Sequence, residues 1–259
     1  MGQSGLKLVL SATDALVQIV LLRHGEIAVA QEWHCENRAT EILPAALENL
    51  FQLLSVSPRE LERIACVHGP GSFTGIRLVL ALSQALRRVS GAELAALNGL
   101  AVLAYEYLLR RPVADKNVLF VVTHARRNLV HVQPFHVDAA EASPMAEITL
   151  MAPEALGRIL PSGAVCLGNG LQRYPELFAG FAQQFSLLLV PGITRPSPAA
   201  LQRAAEAASY QAADLEPLYV RPCDALENLP RLAARQGLSQ NEAWRTYQAL
   251  VQQKPASAI

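Results

Sequence analysis

The residues best placed to do chemistry lie in one short run, Gly69-Pro70-Gly71-Ser72-Phe73-Thr74-Gly75-Ile76-Arg77. Its glycines permit positive φ and a close approach of backbone. Ser72 or Thr74 can cap a following helix, whose first-turn amides then attract an anion. Arg77 stands one helical turn further on. Gly71, Ser72, Thr74, Gly75 and Arg77 are therefore the candidate anion or nucleotide contacts. The same residues also suit a tight strand-to-helix turn whose glycines only let the helix pack closely. The run is neither G-x-x-x-x-G-K-[ST] nor G-x-G-x-x-G, so the standard phosphate-loop motifs do not cover it.

Other chemistry is thinly represented. His24, His34, His68, His124, His131 and His136 form no H-x-x-x-H or H-E-x-x-H pair, the helical spacing of a zinc peptidase. His131 and His136 stand five apart on a strand pattern and should face opposite sides. Ser72 has no evident His and Asp partners for nucleophilic catalysis. Cys35, Cys66, Cys166 and Cys223 are scattered with no C-x-x-C, which argues against a zinc ribbon or a disulfide framework and for a reducing, cytoplasmic setting.

The elements that must position these residues follow from composition and periodicity. Of the 259 residues 51% are hydrophobic and 17% charged, enough for an ordinary packed core. Lys plus Arg and Asp plus Glu are 22 each, so no basic footprint for nucleic acid emerges. Apolar runs such as Val118–Val122 are too short for a membrane span, and Met1–Lys7 lacks the pattern of a signal peptide. Strands are expected at Leu6–Leu10, Leu16–Leu22 and Ile27–Trp33, a helix over Thr40–Leu54, a strand at Arg63–Val67, then the Gly69–Gly75 loop and a helix to about Arg88. A strand near Glu93–Ala96 and a helix from Asn98 to Leu109 complete this half. After a linker at Arg110–Asn117 the order restarts. Strands are expected at Val118–Thr123, Leu129–Val137 and near Glu147–Met151. A helix from Pro153, a strand at Ala164–Leu167, a helix after Gly168, a strand at Ser186–Val190 and a helix over Pro198–Ala213 follow. The strand-hairpin-then-helices order thus occurs twice, giving an α/β protein of two similar subdomains, 1–111 and 112–221. Residues 222–259 read as an appended helical pair, with Pro230 opening one helix, Gly237 ending it and Ser239-x-x-Glu242 capping the next. Its last helix carries only Arg245 and Lys254 as bases, too few for a DNA-reading helix-turn-helix.

Two helices are apolar around most of their circumference. Leu43, Leu47, Leu50, Phe51 and Leu54 form one face of the first, and Ile42, Ala46 and Leu53 add a second. In the helix after Gly75, the residues Ile76, Leu78, Val79, Leu80, Ala81, Leu82, Ala85 and Leu86 leave little polar surface. Such helices are buried on all sides, in their own core or in an interface.

At the glycine loop the chain resembles a known family. "GPGSFTGIRL" at 69–78 is similar to the hallmark of the bacterial TsaB (YeaZ) family, and the likeness extends from about Leu8 to Arg221. "NRATEILPAALENL" at 37–50, "HARRNLVHVQPF" at 124–135, "GNG" at 168–170 and "EPLYVRP" at 216–222 resemble further family segments in the expected order. The resemblance implies a duplicated actin-like (RNase H-like) ATPase fold. It implies a non-catalytic subunit in the formation of N6-threonylcarbamoyladenosine on tRNA. The implied partners are a TsaD-like catalytic subunit and a TsaE-like ATPase; tRNA contact is indirect and no membrane is involved. The paired helices would form the partner surface, through Ile42, Leu43, Ala46, Leu50, Ile76, Val79 and Leu80, which also allows a homodimer.

The departures from the family pattern carry weight. Ser11 stands where the family has an Asp at the end of the opening strand, and His124 stands where the second half has another. Ala39-Thr40-Glu41 replaces His-Ser-Glu. Asp14 lies three residues late. A hydroxyl and an imidazole do not substitute for two hard anionic oxygens around Mg²⁺. No cofactor of its own is expected, with ATP held only weakly or at a complex interface. The competing readings are an active actin-like ATPase or phosphotransferase using the loop, and a glycoprotease-like metallopeptidase.

Overall fold

The computed structural model describes residues 5–13, 15–35, 38–110, 117–138, 141–220, 239 and 245. The opening segment is buried on both faces, because it lies mid-sheet with helices on either side. The first half runs β1 (Leu6–Thr13), β2 (Leu16–Arg23), β3 (Glu26–His34), α1 (Ala39–Leu53), β4 (Leu61–Gly69), α2 (Phe73–Ser90), β5 (Glu93–Asn98) and α3 (Gly99–Arg110). The second runs β6 (Asn117–Arg126), β7 (Leu129–Val137), β8 (Ala142–Pro144), β9 (Thr149–Met151), β10 (Val165–Leu167), α4 (Asn169–Arg173), α5 (Pro175–Phe185), β11 (Leu188–Val190) and α6 (Pro198–Ala207). The described residues from 5 to 220 form one compact unit. The linker expected at 110–117 and the helical pair expected over 222–259 fall largely outside the described residues.

The two halves repeat one topology. The first sheet is ordered β3-β2-β1-β4-β5 and the second β8-β7-β6-β10-β11, with β9 pairing on β7. In each, an antiparallel hairpin leads into strands parallel to the first, β1 with β4 and β6 with β10. This is the duplicated actin-like α/β architecture that the family resemblance implies. Residue chemistry repeats too. A Cβ on Gly75, at the start of α2, would collide with the backbone oxygen of Ala12 on β1, and one on Gly168, just before α4, with that of Val122 on β6. Each half therefore docks its crossover helix on the end of its first strand at a glycine.

Alternation along the strands sorts the cores. Leu8, Leu10, Ile19, Ile64 and Cys66 face α1 and α2, packing on Leu43, Leu47, Ile76 and Val79. Val9, Val20, Ala65 and Val67 face the opposite way, onto Val102, Ala200, Leu201 and Ala205. In the second sheet Leu119, Val121, Phe135 and Val137 pack on α3, while Phe120, Val122, Val130 and Val132 pack with Phe178 and Phe181.

Several boundaries differ from those read in the sequence. The last helix stops at Ala207 rather than 213, because Gln211 pairs with Leu94 at the edge of β5 through two backbone hydrogen bonds of 2.8 Å. The helix expected from Pro153 is a 3-10 turn over Pro153–Arg158, where Gly157 lies against the Phe181 ring. The helix after Gly168 breaks at Tyr174, and Pro175, lacking an N–H, opens the next one. The short strand β8 carries no periodicity long enough to be read.

Burial also sets the thiol chemistry. Desolvation pushes the Cys66 thiol up to about 11 and the Cys166 thiol up to about 12. Unfolded thiols ionise near 9.0. Above that pH the unfolded chain binds fewer protons than the folded one, so stability falls as pH rises. Melting temperature is expected to decline from about pH 9 upward, and a double alanine variant at Cys66 and Cys166 should flatten that decline; a flat profile in the parent chain contradicts it.

Candidate functional site

The glycine loop joins β4 to α2, as its pattern predicts, but its side chains serve the fold. Ser72 is the N-cap of α2, its Oγ accepting from the Gly75 amide at 3.3 Å. Arg77 stacks on the Phe73 ring at 3.8 Å from the centroid, and its Nε donates to the Tyr219 hydroxyl at 2.7 Å. Phe73 in turn stacks on Tyr219 at 4.9 Å. Thr74 is exposed. Gly69 passes so close to Leu218 that an added Cβ would lie 2.5 Å from its backbone oxygen. The Leu218 amide donates to the His68 oxygen at 2.9 Å. "GPGSFTGIRL" and "EPLYVRP" are therefore two sides of one packed corner. Of the five expected anion contacts, Gly71 lines the crevice described next. The aromatic pair takes up the Arg77 guanidinium, and a Cβ on Gly75 would meet the backbone of β1.

The cavity itself lies where the ends of β1 and β6 approach the β4–α2 and β10–α4 turns. It has a volume of about 250 Å³. Ser11, Thr13, Gly71, Thr123, His124 and Asn169 line it, so the two positions that depart from the family pattern face one crevice. His34, His131, Gln172 and Arg195 also line it. Sequence reasoning had not singled out these four or Asn169 as site residues. His131 is cross-strand from Thr123, a pairing legible only once register is known. Asn169, within the "GNG" segment, accepts the His124 amide at 2.7 Å. The Arg195 guanidinium donates to His34 Nε2 at 2.6 Å. Gln18, buried on β2, donates to the Pro196 oxygen at 2.9 Å and so holds that rim segment. No Asp or Glu is among the described lining residues, and Asp14 is not a described residue. Among the described residues, no three His, Cys, Asp or Glu side chains gather as a metal cluster.

The helix pair forms the second candidate surface. Leu43, Leu50, Ile76, Val79 and Leu80, expected at the partner contact, are buried in the chain's own core instead. Ile42 and Ala46 are only partly covered. The opposite faces carry the uncovered apolar groups: Leu53 is 71% exposed on α1 and Val89 54% on α2, with Leu78, Leu82 and Leu86 partly covered. Between the helices runs a groove of about 630 Å³ lined by Pro44, Leu47, Phe51, Val56, Leu82 and Leu86. Among the described residues no helix is long and apolar enough to cross a membrane.

Known proteins resemble this chain in sequence and in fold. A family model described as TsaD, tRNA N6-adenosine threonylcarbamoyltransferase, matches residues 34–245. The chain is 26% identical over 231 residues to the tRNA threonylcarbamoyladenosine biosynthesis protein TsaB of Escherichia coli (strain K12), covering 85% of this chain and 96% of that protein. A structure described as an uncharacterized protein with similarity to peptidase YeaZ, from Pseudomonas aeruginosa, superposes with a TM-score of 0.68 at 18% identity, covering 84% of this chain and 100% of that one. YeaZ from the same organism superposes with a TM-score of 0.65 at 20% identity, covering 82% of this chain and 100% of that one.

Proposed function

The chain belongs to the TsaD (tRNA N6-adenosine threonylcarbamoyltransferase) family, and from that premise we propose that it serves tRNA threonylcarbamoyladenosine biosynthesis in the cytoplasm as a non-catalytic subunit paired with a TsaD-like catalytic partner. The observation that carries this reading is the uncovered apolar face of α1 and α2. Leu53 and Val89 are exposed, and Leu78, Leu82 and Leu86 are only partly buried against the core. Apolar side chains left uncovered along two packed helices suit a subunit contact. The crevice supports the non-catalytic half. Ser11 and His124 supply no carboxylate where Mg²⁺-assisted group transfer needs hard anionic oxygens. In this reading nucleotide turnover falls to a TsaE-like ATPase and to the catalytic partner, and tRNA touches this chain only indirectly.

Coexpression with a TsaD-like subunit tests the proposal. A stable complex is expected, with no steady Mg²⁺-dependent ATP hydrolysis by the isolated chain. A chain that ignores the partner overturns the scaffold reading, and steady hydrolysis by the chain alone overturns the non-catalytic one. A homodimer through the same face, displaced by the TsaD-like subunit, fits the proposal.

A further inference from the structure

We propose that Lys7 is an acyl-acceptor site: its amine takes the acyl group of a small acyl phosphate that enters the groove where β1, β4 and β5 begin. The inference stands apart from the crevice and from the pairing of α1 and α2 with a partner. Only three of the 22 basic residues are lysines, at positions 7, 116 and 254, and Lys7 alone of them is a described, partly exposed side chain. On β1 its cross-strand neighbours are Leu22 of β2 and Arg63 of β4, so two cations stand side by side. The Tyr210 ring serves both, its centroid 5.4 Å from Lys7 Nζ and 4.9 Å from the Arg63 guanidinium carbon. Tyr210 is itself fixed, its hydroxyl donating to the Ala205 oxygen at 2.9 Å. Arg63 turns to Glu93 at 3.5 Å. Among the described residues no carboxylate stands within ion-pair distance of Lys7.

An amine attacks only through a free lone pair, so its deprotonated fraction sets the rate. Burial lowers Lys7 below the ordinary value of 10.5; Glu206 on α6 opposes the fall and the Arg63 cation adds to it. Leu22 carries no charge, and burial keeps the Tyr210 phenol protonated. In the reaction the Nζ lone pair adds to the acyl carbon and forms a C–N bond. The bond from that carbon to the phosphate oxygen breaks. Phosphate leaves with the electron pair, and the proton on nitrogen passes to water. The groove has a volume of about 840 Å³ and is lined by Lys7, Arg59, Arg63, Glu60, Glu62 and Glu93, ample for a donor of this size. Arg63, beside the amine, suits the donor's phosphate.

Acetyl phosphate tests the proposal, with initial rates of Lys7 acetylation read by peptide mass spectrometry on the full chain. The reference is the same lysine in the chain unfolded in guanidinium chloride. The folded-to-unfolded rate ratio is expected to fall as pH rises from 7 to 10, because the unfolded amine gains its lone pair later. Differences in access scale that ratio at every pH alike and leave its slope intact. At pH 8, R63Q should slow the reaction roughly 2- to 5-fold by removing a neighbouring cation. E206Q should quicken it by a similar factor, because an opposing carboxylate is lost. Glu206 is exposed and the Arg63 side chain is 51% exposed, so both variants should fold, and the pH test on the parent chain needs neither. A folded chain left unmodified at Lys7, a rate ratio that stays level or rises with pH, or variants that shift the rate in one direction would each overturn the proposal.

Discussion

Replacing Gly75 with alanine is expected to remove more than about 3 kcal/mol of folding stability, at the upper end of what overpacking costs. The added Cβ would overlap the backbone oxygen of Ala12. No rotamer change relieves a clash between Cβ and backbone. Relief requires lifting the start of α2 off β1, and with it Ile76 and Val79, which are 2% and 0% exposed. The Ser72 cap would be drawn away as well, since it is made to the Gly75 amide. Gly168→Ala should behave similarly in the second half, with the added strain of a side chain at φ 111°. Gly180→Ala is the control: nothing lies within 4 Å of the added Cβ, and alanine in α5 should be neutral or stabilising by up to ~1 kcal/mol. Chemical denaturation of the three variants checks this. A Gly75→Ala protein as stable as the parent would show that α2 does not sit on β1 as described.

The second large effect separates the two faces of the helix pair. Val79→Glu places an unpaired charge in the core and is expected to abolish folding, a cost of several kcal/mol. Leu53→Glu and Val89→Glu place the charge on the uncovered face, where it stays hydrated in the free chain. They should leave melting within a few degrees of the parent, yet weaken association with a TsaD-like partner, or with a second copy, by about 2 kcal/mol or more, roughly 30-fold. Melting temperature and complex mass read the two effects independently. If Leu53→Glu and Val89→Glu associate normally, the contact surface lies elsewhere. If Val79→Glu folds normally, the core is misassigned.

These contrasts mark how far the sequence reaches. The buried runs at β1, β2 and β6, the amphipathic span of α1 and the break between Gly69 and Gly75 are legible in the chain, because strand and helix periods are local properties written into neighbouring residues. The recurrence of one element order, and with it the duplication, follows from the same local signals. The glycine loop is legible as unusual, and its likeness to a known family is legible in its letters. Its physical reason is not: Gly75 must be glycine because of Ala12, and Arg77 is occupied because of Tyr219, partners separated by 63 and 142 positions. Periodicity shows that α1 and α2 each have more than one apolar face, but not which face is inside. Ile76, Val79 and Leu80 differ from Leu78, Leu82 and Val89 only in where the first sheet lies. The crevice is further still from local reading. Ser11, His34, His124, Asn169 and Arg195 come from both halves of the chain, and only the packing of two sheets around shared helices brings them to one cavity. Local side-chain patterns determine which elements form; long-range burial decides which way each element faces and which polar groups meet.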